Sequence, residues 1–229
     1  MYKKSSSGGR GGARSEDSRS PQRTLTRHTP RLAPQSVRII GGTWKRTPLP
    51  VLDALGLRPT PDRVRETIFN WINHQFDGVW STRDCLDLFA GSGALGFEAA
   101  SRGAASVILV DAHQGVVRQL QANKDKLEAA NLSVVRGDAL TTARNMAARG
   151  QTFDLIFLDP PYQQDLLATA LPLCLTLLKP GGLVYAESGL ALPFDGQGAD
   201  AVPQWLQGWE AVRADKAGMV YFHLLRRSG

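Results

Sequence analysis

The sequence predicts an α/β fold in which a mostly parallel sheet carries helices on both faces. From residue 84 onward, short apolar runs typical of buried strands alternate with longer segments of helical periodicity, and a glycine-rich turn joins the first strand to its helix. Two last strands, near residues 209–213 and 219–226, flank Asp215-Lys216-Ala217-Gly218 and predict a closing antiparallel hairpin. A chain of 229 residues with 42% hydrophobic content can bury the core of one such domain with appendages.

The first 36 residues differ in composition from the rest of the chain. They contain eight basic residues and two acidic ones, and this excess equals the formal charge of +6 carried by the whole chain. A segment rich in Ser, Gly, Arg and Pro is predicted to be disordered, because its few large apolar side chains cannot offset the entropy lost on ordering. Three interpretations stay open: an arm that attracts RNA phosphates, an organelle transit peptide, and an extension with no dedicated role.

A short hairpin is predicted next, with residues 37–40 and Thr43-Trp44 as its strands. Gly41-Gly42 lies between them, and glycine pairs are typical of tight hairpin turns. Lys45-Arg46 keeps the second strand basic. Residues 37–66 contain six basic residues against three acidic ones, which favours a surface that contacts nucleic acid.

The segment that begins at Thr60 predicts a helix. Thr60 suits the N-cap, Pro61 suits the first helical position, and Asp62 complements the positive end of the helix dipole. Apolar residues recur on one face of this helix: Val64, Ile68, Trp71, Ile72 and Phe76. Another face is polar and includes Arg63, so it is either a solvated face or part of the nucleic-acid surface.

The glycines of the following βαβ unit indicate a ligand-binding loop. Residues 84–90 predict a strand, residues 91–96 turn it into a helix, and their spacing satisfies G-x-G-x-x-G. Glycines let the backbone approach a ligand closely, and a helix N-terminus favours negative charge. Asp111 ends the next predicted strand, residues 106–110, where an acid can bind a ribose. The pattern by itself fits enzymes that use NAD and enzymes that use S-adenosylmethionine, and some matching segments bind nothing.

Two further acids follow predicted strands. Asp138 comes after residues 132–136, where it either accepts a hydrogen bond from an adenine amino group or caps the next helix. Asp159-Pro160-Pro161-Tyr162 follows the mostly apolar run of residues 153–158. Open α/β sheets bind ligands outside the carboxyl ends of their strands, and prolines make this loop rigid. An acid, two prolines and an aromatic ring at that edge predict a pocket for a flat molecule with an N–H group.

These features together resemble the class I S-adenosylmethionine-dependent methyltransferases that act on exocyclic amino groups of nucleobases. Longer segments are similar to the RsmD family, the bacterial 16S rRNA guanine-N2 methyltransferases. They are Arg38-Ile39-Ile40-Gly41-Gly42, Gly56-Leu57-Arg58-Pro59-Thr60, Asp62-Arg63-Val64-Arg65-Glu66-Thr67, Leu86-Asp87-Leu88-Phe89-Ala90-Gly91-Ser92-Gly93-Ala94-Leu95-Gly96 and Lys216-Ala217-Gly218. The likeness covers residues 37–227, and in it Asp111 stands where many relatives carry Glu.

The resemblance implies a Rossmann-like fold with a seven-stranded sheet and S-adenosylmethionine as cofactor. It implies methylation of one guanine of 16S rRNA, within the small ribosomal subunit or an assembly intermediate. The cofactor-binding residues it implies are Asp87, Phe89, Gly91, Gly93, Asp111, Asp138 and Ala139. The catalytic residues it implies are Asp159, Pro160 and Tyr162. The RNA-contacting residues it implies are Arg38, Lys45, Arg46, Arg58, Thr60, Arg63 and Arg65.

Three parts of the chain are therefore expected to differ in function. Residues 1–36 are the basic tail, residues 37–76 form the hairpin and helix that contact RNA, and residues 77–229 form the catalytic domain that binds S-adenosylmethionine. We expect a cytoplasmic monomer without a membrane partner.

The chemistry of an aromatic amine supports the catalytic roles. Such an amine shares its lone pair with the ring, so it attacks a sulfonium methyl group poorly unless acceptors at its N–H groups localise that pair. The Asp159 carboxylate and the Pro160 carbonyl are suitable acceptors. Asp159 can also collect the released proton, and positioned proton transfer is worth about 100- to 10,000-fold in rate. Tyr162 is expected to stack on an extruded base, which contributes about 1 to 3 kcal/mol.

Other functions fit only part of the sequence. An adenine-N6 methyltransferase would use the same tetrapeptide, a nicotinamide dehydrogenase would leave that tetrapeptide unexplained, and a noncatalytic ribosome-assembly factor would bind RNA without transfer. Cys85 and Cys174 lie in apolar runs and predict reduced core thiols. The four histidines show no ligand spacing, so no metal site is expected. No apolar stretch approaches the ~20 residues of a membrane span, and no secretory signal is expected.

Overall fold

The structure, a computed structural model, describes residues 36–51, 60–161, 166–194 and 202–229. The helices are α1 (Asp62–Gln75), α2 (Ala94–Ser101), α3 (Gln114–Lys126), α4 (Ala139–Ala148) and α5 (Leu166–Leu177). The strands are β1 (Ser36–Arg38), β2 (Pro48–Pro50), β3 (Asp84–Asp87), β4 (Ser106–Asp111), β5 (Leu132–Arg136), β6 (Phe153–Leu158), β7 (Leu178–Ser188), β8 (Trp209–Ala217) and β9 (Val220–Arg227). The predicted tail lies outside these residues, except that Ser36 already begins β1.

Seven of the described strands form one sheet in the order β5-β4-β3-β6-β7-β9-β8. The first five strands of this order are parallel, and β9 is antiparallel to both β7 and β8. The chain runs outward from β3 through β4 to β5 and then returns to β6 on the other side of β3. The order therefore reverses between β3 and β6, which is where open α/β sheets bind their ligands. The predicted α/β fold and closing hairpin are confirmed.

Each face of the sheet is covered by its own hydrophobic cluster. Alternate strand residues enter the two clusters because side chains alternate along a strand. Cys85 packs with residues of α1, α2 and α3, whereas its neighbour Leu86 packs with residues of α4 and α5. Cys174 belongs to the second cluster, so the two buried thiols lie on opposite faces of the sheet and are free, as predicted. None of the helices described above is long and apolar enough to cross a membrane.

The N-terminal hairpin exists, but its second strand is not the predicted one. β1 pairs with β2, twelve residues along the chain, and Thr43-Trp44 lies in the connection between them. Gly42 has φ +75°, and a Cβ on it would lie 1.8 Å from the carbonyl oxygen of Ser101. The prediction of a tight turn at Gly41-Gly42 is therefore wrong: these glycines let the backbone lie directly against the end of α2.

A buried carboxylate on α2 fixes this connection to the sheet domain. Glu98 accepts hydrogen bonds from the backbone N–H of Ile40 at 2.7 Å and of Gly41 at 2.8 Å, and from the Arg102 guanidinium at 2.9 Å. Ile39 is 1% exposed and shares the hydrophobic cluster of α1 and the sheet. Residues 37–76 thus pack on the same core as the rest, and the proposed boundary at residue 76 stays a prediction about function.

The segment before the end of β7 also differs from its prediction. A proline followed by two glycines in Lys179-Pro180-Gly181-Gly182 predicts a turn before a strand at residues 183–187, but these four residues lie inside β7. The register with β6 shifts there, since Phe153 pairs with Leu178 and Leu155 pairs with Leu183. The four residues therefore form a bulge within one continuous strand, a feature that local turn signals do not distinguish from a turn.

Candidate active site

The carboxyl ends of the parallel strands meet at one edge of the sheet. Five acids lie at this edge: Asp87 on β3, Asp111 on β4, Asp138 after β5, Asp159 after β6 and Glu187 on β7. Leu158 pairs with Ala186, so the next residues on the two strands, Asp159 and Glu187, come level with each other. This edge includes the reversal between β3 and β6, and we take it as the candidate active site.

The loop between β3 and α2 approaches α3 so closely that it requires glycine. Gly93 is the residue before α2 and has φ +78°, a backbone conformation that other residues rarely adopt. A Cβ at this position would lie 2.6 Å from Leu120 of α3. The loop thus exposes backbone rather than side chains at the start of a helix, which suits a ligand that must lie against the chain.

Asp87 supports this loop from inside the protein. The side chain is 1% exposed, and its Oδ2 accepts a hydrogen bond from the Gly96 N–H at 3.2 Å. Its Oδ1 is buried and has no hydrogen-bond partner in the described part of the chain. Burial raises the pKa of Asp87 to about 7, although backbone N–H groups of Gly96 and Phe89 oppose the shift. The Oδ1 atom of Asp87 is thus a buried acceptor beside the glycine loop, which fits the prediction that Asp87 binds the cofactor.

Asp111 and Asp138 lie at the ends of the next two strands. Asp111 accepts hydrogen bonds from the backbone N–H of Gly91 at 3.1 Å and of His113 at 2.8 Å, so its carboxylate lies against the glycine loop. Asp138 accepts one from the Thr141 N–H at 2.8 Å, and this bond lowers the pKa of Asp138. The capping role that the sequence allowed for Asp138 is thus confirmed, and its contact with adenine stays a prediction.

The Asp159 loop continues directly from β6. Asp159 is half-buried, Pro160 is buried and Pro161 is exposed. Tyr162, the predicted stacking residue, lies outside the described residues. Phe157 of β6 pairs with Asp87 of β3, so Asp159 lies two residues beyond the level of Asp87 on the neighbouring strand. The structure thus brings the predicted cofactor loop and the predicted amine acceptors to adjacent strand ends.

Asp159 is surrounded by negative charge. Burial raises the pKa of its carboxyl group well above the usual range, and the nearby carboxylates of Glu187 and Asp87 raise it further. The Thr60 hydroxyl lies 3.5 Å from Asp159 Oδ2 and acts in the opposite direction. The group therefore holds a proton far more readily than an ordinary aspartate.

A buried hydrogen-bond network next to Asp159 was missed by the sequence analysis. The Thr60 hydroxyl donates to Glu187 Oε1 at 2.7 Å, and the Tyr185 hydroxyl donates to the same oxygen at 2.7 Å. The predicted N-cap role of Thr60 is wrong, because Pro61 is the N-cap residue of α1 and no side chain caps it. The available signal was the position of Glu187, a charged residue at the end of an apolar strand.

The predicted RNA-contacting residues divide into two groups. Arg38, Lys45, Arg46 and Arg63 are exposed, whereas Arg58 lies outside the described residues. Arg65 and Thr60 do not fit the prediction, because their exposed fractions are 0% and 8%. Arg65 instead donates to the carbonyl oxygen of Arg38 at 2.7 Å and to the carboxylate of Asp62 at 2.6 Å. It joins the hairpin to α1 and cannot reach RNA.

Comparisons with known proteins agree with the site. A family model described as Conserved hypothetical protein 95 matches residues 37–226. Ribosomal RNA small subunit methyltransferase D of Escherichia coli (strain K12) is 40% identical in an alignment of 197 residues that covers 83% of this chain and 90% of that protein. The chain belongs to the ribosomal RNA small subunit methyltransferase D family.

Solved structures support the fold of this family. One from Escherichia coli aligns with a TM-score of 0.68 at 37% identity, over 84% of this chain and 98% of that chain. A more distant structure, complexed with SAH, has a TM-score of 0.55 at 18% identity, over 71% of this chain and 48% of that chain, and it bears on the fold alone. The ribosomal RNA small subunit methyltransferase D family match begins at residue 37, so the predicted basic tail lies outside it. Among the described residues, no group of three or more His, Cys, Asp or Glu could hold a metal ion.

Proposed function

We propose that the chain transfers a methyl group from S-adenosylmethionine to the N2 amine of one guanine of 16S rRNA. The main support is that the glycine loop and Asp159-Pro160 lie at the carboxyl ends of the adjacent strands β3 and β6. Family membership supports ribosomal RNA of the small subunit as the substrate. We further propose that the substrate is the small subunit or an assembly intermediate, and that the enzyme acts as a monomer in the cytoplasm.

The residues around the glycine loop suit S-adenosylmethionine. Asp87 offers an unpartnered acceptor next to the loop, a suitable position for the ammonium group of the methionine part. Asp111 lies against the loop and is the proposed ribose ligand. The remaining proposed contacts are Phe89, Gly91 and Gly93 on the methionine side, and Asp138 and Ala139 on the adenine side. Bound there, the cofactor supplies an electrophilic methyl group.

The Asp159 loop suits the amine that receives this methyl group. The Asp159 carboxylate and the Pro160 carbonyl are acceptors on consecutive residues, and the prolines limit the conformations of that backbone. Acceptors at both N–H groups of the guanine amine localise its lone pair, so it can attack as the carbon–sulfur bond breaks. The new nitrogen–carbon bond leaves one proton to be lost from nitrogen, and Asp159 is the adjacent base.

A basic surface adjoins this site because of how α1 is attached. Thr60 lies 3.5 Å from Asp159 and directly precedes α1, so the exposed Arg63 in the first turn of α1 lies near the site. Arg38 is 63% exposed at its side chain and pairs with Asp62 in the same turn. We propose that these residues, with Lys45, Arg46 and Arg58, contact rRNA phosphates. Tyr162 is proposed to stack on the extruded guanine, which offsets part of the unstacking cost.

The test is radiolabelled methyl transfer to small subunits assembled from unmodified 16S rRNA, followed by mapping of the label. We expect transfer to N2 of a single guanine. Preferential labelling of adenine in naked duplex DNA would instead indicate an adenine-N6 methyltransferase. Binding to the subunit without any transfer would indicate a noncatalytic assembly factor.

Two variants control this experiment. Asp159→Ala is expected to retain affinity for S-adenosylmethionine in calorimetry but to lose methyl transfer. Asp125→Asn removes an exposed carboxylate on α3 that accepts a hydrogen bond from Gln121 of the same helix, so it should behave as the unmodified chain. Turnover retained by Asp159→Ala would refute the role given to Asp159 while leaving the methyltransferase activity itself in place.

A further inference from the structure

The carboxyl ends of β6 and β7 place two acids side by side. Asp159 and Glu187 follow the paired residues Leu158 and Ala186, and neighbouring strands lie about 4.8 Å apart. Glu187 is 2% exposed. A negative charge on Glu187 this close opposes ionisation of the Asp159 carboxyl group.

The hydrogen bonds of this pair are asymmetric. The Thr60 hydroxyl lies 2.7 Å from Glu187 Oε1 and 3.5 Å from Asp159 Oδ2, and the Tyr185 hydroxyl donates to the same Glu187 oxygen at 2.7 Å. Hydrogen bonds to a carboxylate stabilise its charged form, so the Thr60 contact acts to lower the pKa of Asp159. Because this contact is the longer of the two, burial and the Glu187 charge outweigh it and leave the pKa of Asp159 raised.

We propose that Glu187 is a positioning residue that makes Asp159 the proton acceptor of methyl transfer, with Thr60 as the hydrogen-bonding link between the two acids. This inference rests on the proposed function. An ordinary aspartate is a weak base at neutral pH, and catalysis of proton transfer is most efficient when the pKa of the base lies near the working pH. Burial, and after it the negative charge of Glu187, raises the pKa of Asp159 toward that range.

The proposed step balances in atoms and charge. The guanine nitrogen forms a bond to the methyl carbon, the bond between that carbon and sulfur breaks, and the positive charge leaves the sulfur. One proton passes from the nitrogen to Asp159 and then to water. Bound S-adenosylmethionine would place a positive charge near Asp159 and Glu187. This charge would lower the pKa of Asp159, so Asp159 can lose its proton before it accepts the one from the guanine nitrogen.

In the described part of the chain, the groups that shift the pKa of Asp159 come from three places in the fold. They are Glu187 on β7, Asp87 on β3 and the Thr60 hydroxyl ahead of α1. Substitutions of Glu187 and of Thr60 should shift the pKa of Asp159 in opposite directions. Glu187→Gln removes a negative charge and should lower the pKa of Asp159. Thr60→Val removes the hydroxyl that favours the charged form of Asp159, so it should raise the pKa of Asp159. Thr60→Ser keeps the hydroxyl and should behave as the unmodified chain.

Two measurements test the inference. The first is the single-turnover rate of methyl transfer as a function of pH. In Glu187→Gln its acid limb should move to lower pH by about one unit or more. Thr60→Val should move it to higher pH, and Asp125→Asn should not move it. A merely structural role for Glu187 would change stability or rRNA affinity and leave the limb in place.

The second measurement is the titration of the Asp159 carboxyl carbon by NMR in the free protein, which requires neither RNA nor turnover. The same opposite shifts are expected. Unshifted titration in both variants would overturn the inference even if the chain methylates rRNA. Shifted titration in a chain that transfers no methyl group would refute the proposed function and the proton-acceptor role together. If Glu187→Gln does not fold, the pH dependence of the rate and the NMR titration are measured on Thr60→Val and Thr60→Ser instead.

Discussion

The two ends of β6 carry the same residue type in opposite electrostatic surroundings. Asp154, near the amino end, accepts hydrogen bonds from Lys179 Nζ at 2.8 Å, from the Asp84 N–H at 2.8 Å and from the Arg83 guanidinium at 3.3 Å. Burial acts to raise the pKa of Asp84 next to it, but hydrogen bonds from Lys179 and Ser106 outweigh burial and lower it. The amino edge is thus a network of paired charges.

The carboxyl end has similar burial but no such pairing. Asp159 and Asp87 form no ion pair with a basic residue in residues 36–51, 60–161, 166–194 and 202–229. Their pKa values are raised instead of lowered, first because of burial. A buried acid without a cation destabilises the fold when it ionises. This edge therefore opposes stability in the free chain and provides the negative surroundings in which a positively charged ligand is stabilised.

The largest effects are expected for alanine substitutions of the acids at the two ends of β6, Asp159 and Asp154. Asp159→Ala should reduce the single-turnover rate by about 100- to 10,000-fold, the range of positioned proton transfer. Its free energy of unfolding at pH 8 should be unchanged or higher, because the substitution removes a half-buried acid that has no basic partner among the described residues. Asp154→Ala should keep the rate within about twofold but lower the free energy of unfolding by about 1 to 3 kcal/mol, since Lys179 and Arg83 are partly exposed and screened.

Urea unfolding and single-turnover kinetics on the two variants check this contrast. A loss of rate in Asp154→Ala as large as in Asp159→Ala would show that the amino edge also supports catalysis. A loss of stability in Asp159→Ala at pH 8 would show that its carboxylate has favourable partners in the fold and that the carboxyl edge does not oppose stability.

A smaller effect is expected for the pH dependence of stability at Asp87. An unfolded aspartate has a pKa of about 3.9, and burial raises the pKa of Asp87 to about 7 in the fold. The folded state therefore binds the proton more tightly, and this contribution to stability falls as pH rises from about 4 to 7. The fall amounts to a few kcal/mol by linkage, about 4 at most.

Asp87→Asn removes that titration. Relative to the unmodified chain, its free energy of unfolding should therefore be more favourable at pH 8 than at pH 5, as measured in urea. Lys179→Met at the amino edge is the matched contrast, because its partner Asp84 has a lowered pKa and stays charged throughout this interval. An equal effect of Asp87→Asn at both pH values would mean that Asp87 is already ionised at pH 5 in the fold.

The sequence predicted the parallel strands well because their signals are local. The predicted bounds of β5 and β6 agree with the structure to the residue, since apolar runs end there at turn residues. β2 was missed because Pro48-Leu49-Pro50 carries no strand signal of its own and proline is disfavoured in strands. Its pairing depends on the connection held by Glu98 of α2, which local patterns do not reveal.

The candidate site was predicted in its backbone parts and missed in its side-chain network. Glycine spacing and strand-end acids are properties of short segments, so the loop and Asp159 could be identified. The bond from Thr60 to Glu187 joins residues 127 positions apart, and the contact with Asp159 spans 99 positions. Likewise, the charge of Arg65 predicted an exposed contact, whereas its burial depends on acceptors at Arg38 and Thr60.

The smallest expected effect concerns the RNA surface and again contrasts the two edges. Arg63 is exposed in the first turn of α1, near the carboxyl edge, and Arg149 is exposed at the end of α4, just before β6 begins at the amino edge. If rRNA approaches the carboxyl edge, Arg63→Ala should reduce the slope of log affinity against log salt by about one unit, whereas Arg149→Ala should not change it. Binding titrations between 50 and about 200 mM salt measure both slopes. Equal reductions in the two variants would mean that rRNA is held by net positive charge rather than at the edge that carries Asp159.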